Sequence, residues 1–367
     1  MVKMIIAGGG TGGHLFPGIA IAQELKRRYQ DMKIFFVGTK RGVESKILPQ
    51  FGFNLVNISI VGLRRKTLFK NLAIPFHLIG SLFQSLILLN KIKPEVVIGT
   101  GGYVSYPVLL LANLKKIPTL IQEQNSYPGM TTRLLAKKAS RVCLTYESSL
   151  DYFPTAKNNP DKFKVLGNPI REDITGGDKN LALKRLNLSP NKKTIFVFGG
   201  SQGAHKINLA ILEALDDLKD NIQLLWHSGE KDFAYIKEKT QKSKLKISLH
   251  SFINEMGLAY AAADLVVSRA GAIALAEITA CAKPSILIPY PFATADHQRL
   301  NAEELKKSGA AEMILEKDLS GKKLALLINQ LLSDENKLVQ MSQASKKMAK
   351  LDAASKIVDE IEKLWTK

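Results

Sequence analysis

The segment KMIIAGGGTGGH, residues 3–14, joins a short apolar run to a cluster of glycines. A second segment of the same kind, TIFVFGGSQGAH, occupies residues 194–205. Each leads into a helical pattern, which we place at residues 18–29 after the first segment and as far as about residue 215 after the second. A buried strand, a glycine turn and a helix N-terminus open a doubly wound parallel sheet. The sequence therefore predicts an α/β protein with two Rossmann-like domains in tandem.

Further apolar runs of strand length alternate with helical patterns in both halves of the chain. They lie at residues 33–37, 96–98, 119–121, 141–144, 224–227, 265–267 and 285–288. The polar stretch that begins with GNPIR at 167–171 is the best linker candidate. We predict an N-terminal domain of residues 1–170, a C-terminal domain of residues 171–347, and a C-terminal helix at 348–367 that joins the N-terminal domain.

Composition limits the class of protein and of partner. The 367 residues suffice for two domains, and 46% hydrophobic with 23% charged residues is typical of a folded soluble chain. A net charge of +19 favours a polyanionic partner: a nucleic acid, a phosphate-bearing ligand or an anionic membrane. Because the basic residues are not interleaved with aromatic ones, we predict no nucleic-acid partner. Two cysteines and no secretory leader favour a cytoplasmic location.

The segment at residues 72–89 has no charged residue and is mostly apolar. Its polar residues fall at helical spacings and, with the lysines on either side, form one predicted polar stripe. The stripe consists of Lys70, His77, Ser81, Gln84, Ser85 and Lys91. The basic sequence GLRRK at 62–66 precedes it. This pattern predicts a helix that lies in a membrane interface without spanning it, although an ordinary core helix fits equally well.

The glycine loop at 8–13 matches the GxGxxG pattern of dinucleotide-binding proteins. A nicotinamide enzyme would need an acidic residue at the end of the second strand, where this sequence has VGTK at 37–40. We therefore expect the loop to bring a diphosphate or a charged acceptor to helix N-terminal amides. His14 ends the loop, where a neutral imidazole could accept a proton from a sugar hydroxyl or serve only the structure.

The second half carries its own ligand signature, SRAGAIALAE at 268–277. Amides around residues 272–274 would open a helix and could hold a diphosphate, with Glu277 placed to accept the hydroxyls of a ribose. The polar stretch 289–302 also follows a strand and suits hydroxyl-rich ligands. Neither an Asp-x-Asp pair nor a His/Cys cluster with metal spacing occurs, so we predict no metal ion and no other cofactor.

Seven motifs together resemble the MurG family, the N-acetylglucosaminyltransferases of peptidoglycan synthesis, which have the GT-B fold. They are GGGTGGHLFPG at 8–18, GTGGYVSYP at 99–107, QEQNSYPG at 122–129, GNPIR at 167–171, GGSQGA at 199–204, SRAGAIALAE at 268–277 and DHQRLNA at 296–302. They follow the family order along nearly the whole chain. The resemblance implies two Rossmann-like domains that face a cleft, with UDP-GlcNAc mainly on the C-terminal domain and lipid I on the N-terminal one.

The resemblance also implies a role for each matching residue. His14 would be the base that deprotonates the MurNAc 4-hydroxyl, which gives inverting transfer, and Glu277 would bind the ribose. Gln298 would bind the GlcNAc hydroxyls, and Ala272, Ile273, Ala274, Leu275 and Ala276 would bind the diphosphate. The other donor contacts would be Thr11, Gly12, Gly13, Asn125, Arg171, Ser201 and the backbone of Ile253. The helix at 72–89 would bind an anionic membrane at the cytoplasmic face of the bacterial plasma membrane.

Two relatives of the same fold remain as alternatives. One is a transferase to another lipid acceptor, such as diacylglycerol, whose donor motifs would look alike. The other is a UDP-GlcNAc 2-epimerase, which needs no membrane, so the apolar segment at 72–89 argues against it.

Overall fold

A computed structural model describes residues 1–40, 42–60 and 74–365. These residues form two compact units of parallel sheet and helix. The first unit contains Met1–Arg171 and Lys350–Lys367, and the second contains Glu172–Ala349. The predicted fold class, two doubly wound α/β domains, is confirmed.

The N-terminal unit is a seven-stranded parallel sheet in the order β3-β2-β1-β4-β5-β6-β7. Its strands are β1 (Lys3–Gly8), β2 (Lys33–Gly38), β3 (Asn54–Asn57), β4 (Val96–Gly101), β5 (Thr119–Glu123), β6 (Arg141–Leu144) and β7 (Phe163–Val165). Its helices are α1 (Gly12–Arg28), α2 (Glu44–Ile47), α3 (Ile74–Ile92), α4 (Ser105–Leu114), α5 (Met130–Leu135) and, from the end of the chain, α14 (Ala353–Trp365).

Helices cover both faces of this sheet, which explains why its strands are continuous apolar runs. Successive side chains of a strand point to opposite faces, so Met4 and Ile6 of β1 pack with α1 and with Ile361 of α14. Ile5 and Ala7 belong to the core on the other face, together with α3 and α4. The C-terminal helix α14 is therefore part of the core of the N-terminal unit.

The C-terminal unit repeats the architecture with six parallel strands in the order β10-β9-β8-β11-β12-β13. Its strands are β8 (Lys193–Phe198), β9 (Ile222–His227), β10 (Lys246–His250), β11 (Leu265–Ser268), β12 (Ser285–Leu287) and β13 (Ala311–Met313). Its helices are α6 (Lys179–Arg185), α7 (His205–Ala214), α8 (Glu230–Thr240), α9 (Met256–Ala262), α10 (Ala272–Ala280), α11 (His297–Lys307), α12 (Gly321–Ser333) and α13 (Glu335–Met348).

The predicted start of the first helix, residue 18, is wrong. Helix α1 begins at Gly12 and includes Pro17, so His14 lies in its first turn instead of in the loop before it. The turn forms because the Thr11 carbonyl accepts hydrogen bonds from the amides of His14 and Leu15, and because Leu15 is fully buried. Pro17 lies inside the helix, where it donates no amide hydrogen bond and its ring crowds the carbonyl of residue 13.

The polar stripe predicted for the segment at 72–89 faces solvent only in part: His77, Gln84 and Lys91 are exposed, whereas its two serines are not. Ser81 and Ser85 of α3 are fully buried, and their hydroxyls donate to the carbonyls of Leu78 and Ser81 one turn earlier. The two serines can be buried among apolar side chains because each hydroxyl has a hydrogen-bond acceptor within the helix. Residues 62–66, Lys70 and the first two residues of the predicted segment lie outside the described part of the chain.

Beside these polar residues, the exposed surface of α3 also carries an apolar stripe. Phe76 (78% exposed), Ile79 (65%), Phe83 (65%) and Ile87 (51%) recur at the spacing of one helix face. The other face, with Leu89, packs against α4. Within the described residues, no helix is both long and apolar enough to cross a membrane.

Candidate active site

Both sheets have one position where the strand order reverses direction. In the N-terminal unit it lies between β1 and β4, and in the C-terminal unit between β8 and β11. Connections from the two strands at such a point leave to opposite faces, which opens a crevice beyond their carboxyl ends where ligands bind. The glycine loop after β1 and the loops after β8 and β11 all border these two crevices.

His14 stands at the N-terminal crevice, on the first turn of α1. Its ring lies against the end of β4, where a Cβ on Gly101 would come within 2.7 Å of His14 Nδ1. Gly101 also has φ of +101°, which a residue with a side chain rarely adopts. The Thr100 hydroxyl donates to the His14 carbonyl at 2.6 Å, and His14 Nδ1 lies 3.0 Å from Gln124 Oε1. Strands β4 and β5 therefore hold the half-buried imidazole in place.

Thr11, Gly12 and Gly13 directly precede His14, with Thr11 as the N-cap of α1 and the two glycines as its first residues. Thr11 has extended backbone and makes no side-chain cap, so the amides of the first turn are not capped by its hydroxyl. Amides at a helix N-terminus attract anionic or strongly polar groups. This end of α1 is suited to a charged or hydroxyl-rich ligand.

Glu44 is a site residue that the sequence reasoning missed. The sequence has no acid at the end of β2, but Glu44 of α2 is fully buried and turns its carboxylate back to the glycine loop. It accepts hydrogen bonds from the Gly10 amide at 3.0 Å, from the Thr39 amide at 2.8 Å and from the Thr39 hydroxyl. A carboxylate with these partners fixes the loop, whereas in a dinucleotide enzyme the acid would bind a ribose. The only sequence signal for this role is the position of Glu44 in GTKRGVE, residues 38–44, just after β2.

Asn125 lies in a loop organised by a second buried carboxylate, Glu123, at the end of β5. Glu123 accepts hydrogen bonds from the backbone and side-chain nitrogens of Asn125, from the Gly129 amide and from the Thr132 hydroxyl. The motif QEQNSYPG thus forms one hydrogen-bonded turn. It holds Asn125 next to Gln124, on the same loop that contacts His14.

In the C-terminal unit, helix α10 begins just after the end of β11. The first amide that bonds back into the helix is that of Leu275, to the Gly271 carbonyl at 3.0 Å, so the amides of Ile273 and Ala274 precede the first helical bond. A Cβ on Gly271 would meet no atom within 4 Å. The N-terminus of α10 has the geometry that a diphosphate requires.

Glu277 is buried on α10, about one and a half turns into the helix. The hydroxyl of Tyr260, itself fully buried on α9, donates to Glu277 Oε2 at 3.0 Å. The predicted ribose ligand is therefore a carboxylate held by a fixed neighbour. No motif along the chain points to Tyr260, because it lies on α9 and reaches Glu277 of α10 only in the fold.

Gln298 lies in the first turn of α11, and its side-chain oxygen accepts a hydrogen bond from the backbone amide of Tyr290 at 3.0 Å. The loop that carries Tyr290 is held by Arg269, which donates to the carbonyls of Ile288 and Pro289 and pairs with Glu316. Arg269 belongs to the same loop as the N-terminus of α10. Arg269 therefore connects the loop before α10, where the diphosphate is predicted, with the loop that Gln298 contacts.

Ser201 follows β8 and Ile253 follows β10, the two strands on either side of β9. Ser201 is exposed in the glycine loop, and Ile253 is buried beside Phe252, whose ring makes an edge contact with His227. Burial lowers the pKa of His227 to about 4, so this imidazole is neutral at physiological pH. The end of β9 is thus an uncharged, partly aromatic surface.

Arg171 ends GNPIR, the predicted linker. It is buried in the N-terminal unit, with its guanidinium over the rings of Phe16 at 4.8 Å and Phe51 at 5.6 Å. The N-terminal unit therefore includes Arg171, one residue beyond the predicted boundary at 170. Among the residues that the structure describes, no three His, Cys, Asp or Glu side chains are grouped to hold a metal ion.

Comparison with known proteins places this geometry in a class. Residues 4–144 match the model of the glycosyltransferase family 28 N-terminal domain, and residues 194–357 match the glycosyltransferase family 28 C-terminal domain. The protein is an enzyme of this class: the chain belongs to glycosyltransferase family 28. The predictions of a glycosyltransferase and of its two-domain fold are confirmed.

Its relatives define the branch within that class. The UDP-N-acetylglucosamine–N-acetylmuramyl-(pentapeptide) pyrophosphoryl-undecaprenol N-acetylglucosamine transferase of Thermodesulfovibrio yellowstonii is 43% identical over 366 residues, 99% of each chain. A solved structure of MurG from Acinetobacter baumannii is 27% identical, with a TM-score of 0.76 over 99% of this chain and 100% of that one. Within family 28 the chain is thus a MurG-type N-acetylglucosaminyltransferase, as the motifs predicted.

The second alternative, a UDP-GlcNAc 2-epimerase, is similar to this chain in structure but distant in sequence. UDP-GlcNAc 2-epimerase from Neisseria meningitidis, solved with UDP-GlcNAc bound, matches with a TM-score of 0.68 at 16% identity over 99% of both chains. At that identity the likeness shows a shared fold alone.

Glu44→Ala tests whether this carboxylate fixes the glycine loop. The change leaves the amides of Gly10 and Thr39 without their acceptor, so we expect the free energy of unfolding to fall by about 1–3 kcal/mol. We also expect kcat/KM to fall, since His14 follows the loop. Urea denaturation and steady-state kinetics measure the two effects.

The matched control for this test is Glu147→Ala, which removes an exposed carboxylate from the same unit. It should leave stability and kcat/KM within error of the unsubstituted protein. Wild-type stability and turnover in Glu44→Ala would contradict the assigned role.

Proposed function

We propose that the protein transfers GlcNAc from UDP-GlcNAc to the 4-hydroxyl of MurNAc in undecaprenyl-diphospho-MurNAc-pentapeptide, with inversion at the anomeric carbon and without a metal ion. The observation that carries the proposal is the pair of crevices at the two reversal points. One has a histidine at a glycine loop, and the other has a helix N-terminus followed by a buried carboxylate. The names of the relatives support the lipid I acceptor over diacylglycerol and over an epimerase reaction.

The C-terminal crevice takes the donor in this proposal. The amides of residues 272–276 bind the diphosphate, Glu277 accepts the ribose hydroxyls, and the backbone of Ile253 with Ser201 and Arg171 contacts the nucleotide. Gln298 binds the hydroxyls of the GlcNAc. When the bond between the sugar and the diphosphate breaks, the dipole of α10 stabilises the negative charge that develops on UDP.

The N-terminal crevice takes the acceptor. His14 Nε2 accepts the proton of the MurNAc 4-hydroxyl while that oxygen attacks the anomeric carbon of GlcNAc. The new bond forms on the face opposite to the departing UDP, which carries away the electron pair of the broken bond, so the product is a β-linked disaccharide. Thr11, Gly12, Gly13 and Asn125 contact the donor sugar from this side.

The experiment that tests the function is transfer of labelled GlcNAc from UDP-GlcNAc to a short-chain lipid I analogue in the presence of EDTA. We expect a β-linked disaccharide and free UDP. Transfer to diacylglycerol instead, or release of N-acetylmannosamine without any acceptor, would replace the proposal by one of its two alternatives.

His14→Ala separates catalysis from binding. Loss of a general base typically costs a factor of about 10²–10⁴ in turnover, so we expect kcat to fall by that amount. The affinity for UDP, measured by calorimetry, should stay within about twofold. Equal losses in kcat and in UDP affinity would make His14 a binding residue.

We further propose that the protein binds peripherally to the cytoplasmic face of the plasma membrane through α3. The apolar stripe of Phe76, Ile79, Phe83 and Ile87 is a helix face of the kind that enters an interface. Lysine and arginine outnumber aspartate and glutamate by more than two to one in the N-terminal unit, whereas they are nearly balanced in the C-terminal unit. Most of the charge that attracts anionic lipid therefore lies in the unit that carries the stripe.

Replacing Phe76 and Phe83 together by serine tests the membrane proposal. Because each buried phenylalanine contributes about 1.5–3 kcal/mol, we expect binding to phosphatidylglycerol-containing vesicles to weaken by tenfold or more. The control replaces Leu326 and Val339, two exposed apolar residues of the C-terminal unit, by serine. Equal vesicle binding by the α3 variant and the control would remove α3 from the membrane contact.

A further inference from the structure

A hydrogen bond between His14 and Gln124 determines which ring nitrogen of the histidine carries the proton. Gln124 follows β5 and is almost completely buried, and its Oε1 lies 3.0 Å from His14 Nδ1. An amide oxygen can only accept a hydrogen bond, whereas the amide nitrogen can only donate. The direction of the bond therefore depends on how the Gln124 amide is turned.

Two backbone carbonyls fix the orientation of that amide. Gln124 Nε2 donates to the carbonyl oxygens of Thr100, at 2.8 Å, and of Gln122, at 3.0 Å. A flipped amide would place its oxygen against two other oxygens in a buried site, where unpaired and repelling polar groups are costly. The amide thus presents Oε1 to the imidazole, and His14 Nδ1 must be the protonated nitrogen.

A second layer of buried amides supports the same orientation. The side chain of Gln122 donates to Asn168 Oδ1 at 3.0 Å, and Asn168 Nδ2 donates to the Gln124 carbonyl at 3.1 Å. Gln122 Oε1 in turn accepts from Gln124 Nε2. Each amide meets a group of the opposite kind, so turning any one of them would put like groups together.

We propose that Gln124 is a positioning residue that holds His14 as the Nδ1–H tautomer and so leaves the lone pair of Nε2 for the acceptor hydroxyl. The inference rests on the proposed role of His14 as the base. An imidazole without such a partner distributes its proton over both nitrogens, and the molecules protonated at Nε2 cannot act as the base from that atom. A carboxylate in other enzymes fixes a catalytic histidine in the same way.

The partner differs from a carboxylate in one respect that bears on this reaction. The amide of Gln124 has no net charge, so it selects the tautomer without placing a second negative charge beside the crevice. The hydrogen-bond partner of the ring, Gln124, and the two glycines beside the ring, Gly101 and Gly102, are uncharged. The residue that orients His14 therefore adds no repulsion toward the diphosphate groups of the two substrates.

The test is the tautomer of His14 in Gln124→Met, a variant that keeps the side-chain length and removes the acceptor. Long-range ¹H–¹⁵N correlations of the ¹⁵N-histidine-labelled full-length protein, at a pH where the ring is neutral, report the state of both nitrogens. The protein has six histidines, and His14→Ala identifies the signals of His14. We expect Nδ1–H in the unsubstituted protein and a mixture of tautomers in Gln124→Met.

Kinetics give the second readout. We expect kcat of Gln124→Met to fall by about 10-fold to 100-fold, the usual cost of losing a partner that orients a functional histidine, with KM for UDP-GlcNAc within about twofold. Gln223→Met makes the same change at a fully buried glutamine of the C-terminal unit and should leave the His14 tautomer unaltered. That control separates a local effect from general destabilisation.

The two proposals fail in different ways. Nε2–H in the unsubstituted protein, or an unchanged tautomer in Gln124→Met, would overturn the positioning role of Gln124. If the tautomer changes as expected while both Gln124→Met and His14→Ala keep full turnover, Gln124 still positions the ring, and the assignment of His14 as the base is wrong.

Discussion

Every loop that carries a candidate site residue leaves the carboxyl end of a parallel strand, where the backbone must turn into a helix or the next loop within a few residues. Buried strands and helices surround these turns, so their polar groups need partners and their backbones need space. Glycines provide the space, as at Gly101, where a side chain would occupy the position of the His14 ring. Buried carboxylates provide the partners, as Glu44 does for Gly10 and Thr39. The geometry of both crevices follows from this constraint.

The two units meet the constraint in different ways, which suits two different ligands. In the N-terminal unit, the turn after β1 ends in a histidine that β4 and β5 hold from the side. In the C-terminal unit, the turn after β11 ends in a helix N-terminus followed by Glu277, and Arg269 braces the neighbouring loop. The first arrangement is suited to moving a proton, and the second to holding a diphosphate and a ribose. One architecture thus supplies both halves of a glycosyl transfer.

The local pattern of the sequence was enough to predict the sheets and the glycine turns. Runs such as residues 4–7 and 194–198 are buried strands, and the motifs after them mark the strand ends. The start of α1 was misplaced because glycines and Pro17 conceal a first turn that the buried Leu15 stabilises. Ser81 and Ser85 belong to the predicted polar stripe of α3 but are buried, because their hydroxyls form hydrogen bonds within the helix and need no solvent.

The supporting residues of the site escaped prediction for a different reason. Gln124 acts on His14 across 110 residues, Glu44 on Gly10 across 34, and Tyr260 on Glu277 across 17. Spacing along the chain carries no signal for such pairs, whereas His14 and Glu277 stand beside motifs that can be read locally. Only the strand order brings the supporting residues to the crevices.

The claim on which this account rests is that the C-terminal crevice, and not the N-terminal glycine loop, binds the nucleotide. Hydrogen exchange of the full-length protein with and without saturating UDP measures it directly, because amides that bind a diphosphate exchange more slowly. We predict slower exchange at residues 268–277 and 251–254, with residues 8–14 unchanged. Protection at residues 8–14 without any at residues 268–277 would contradict the account.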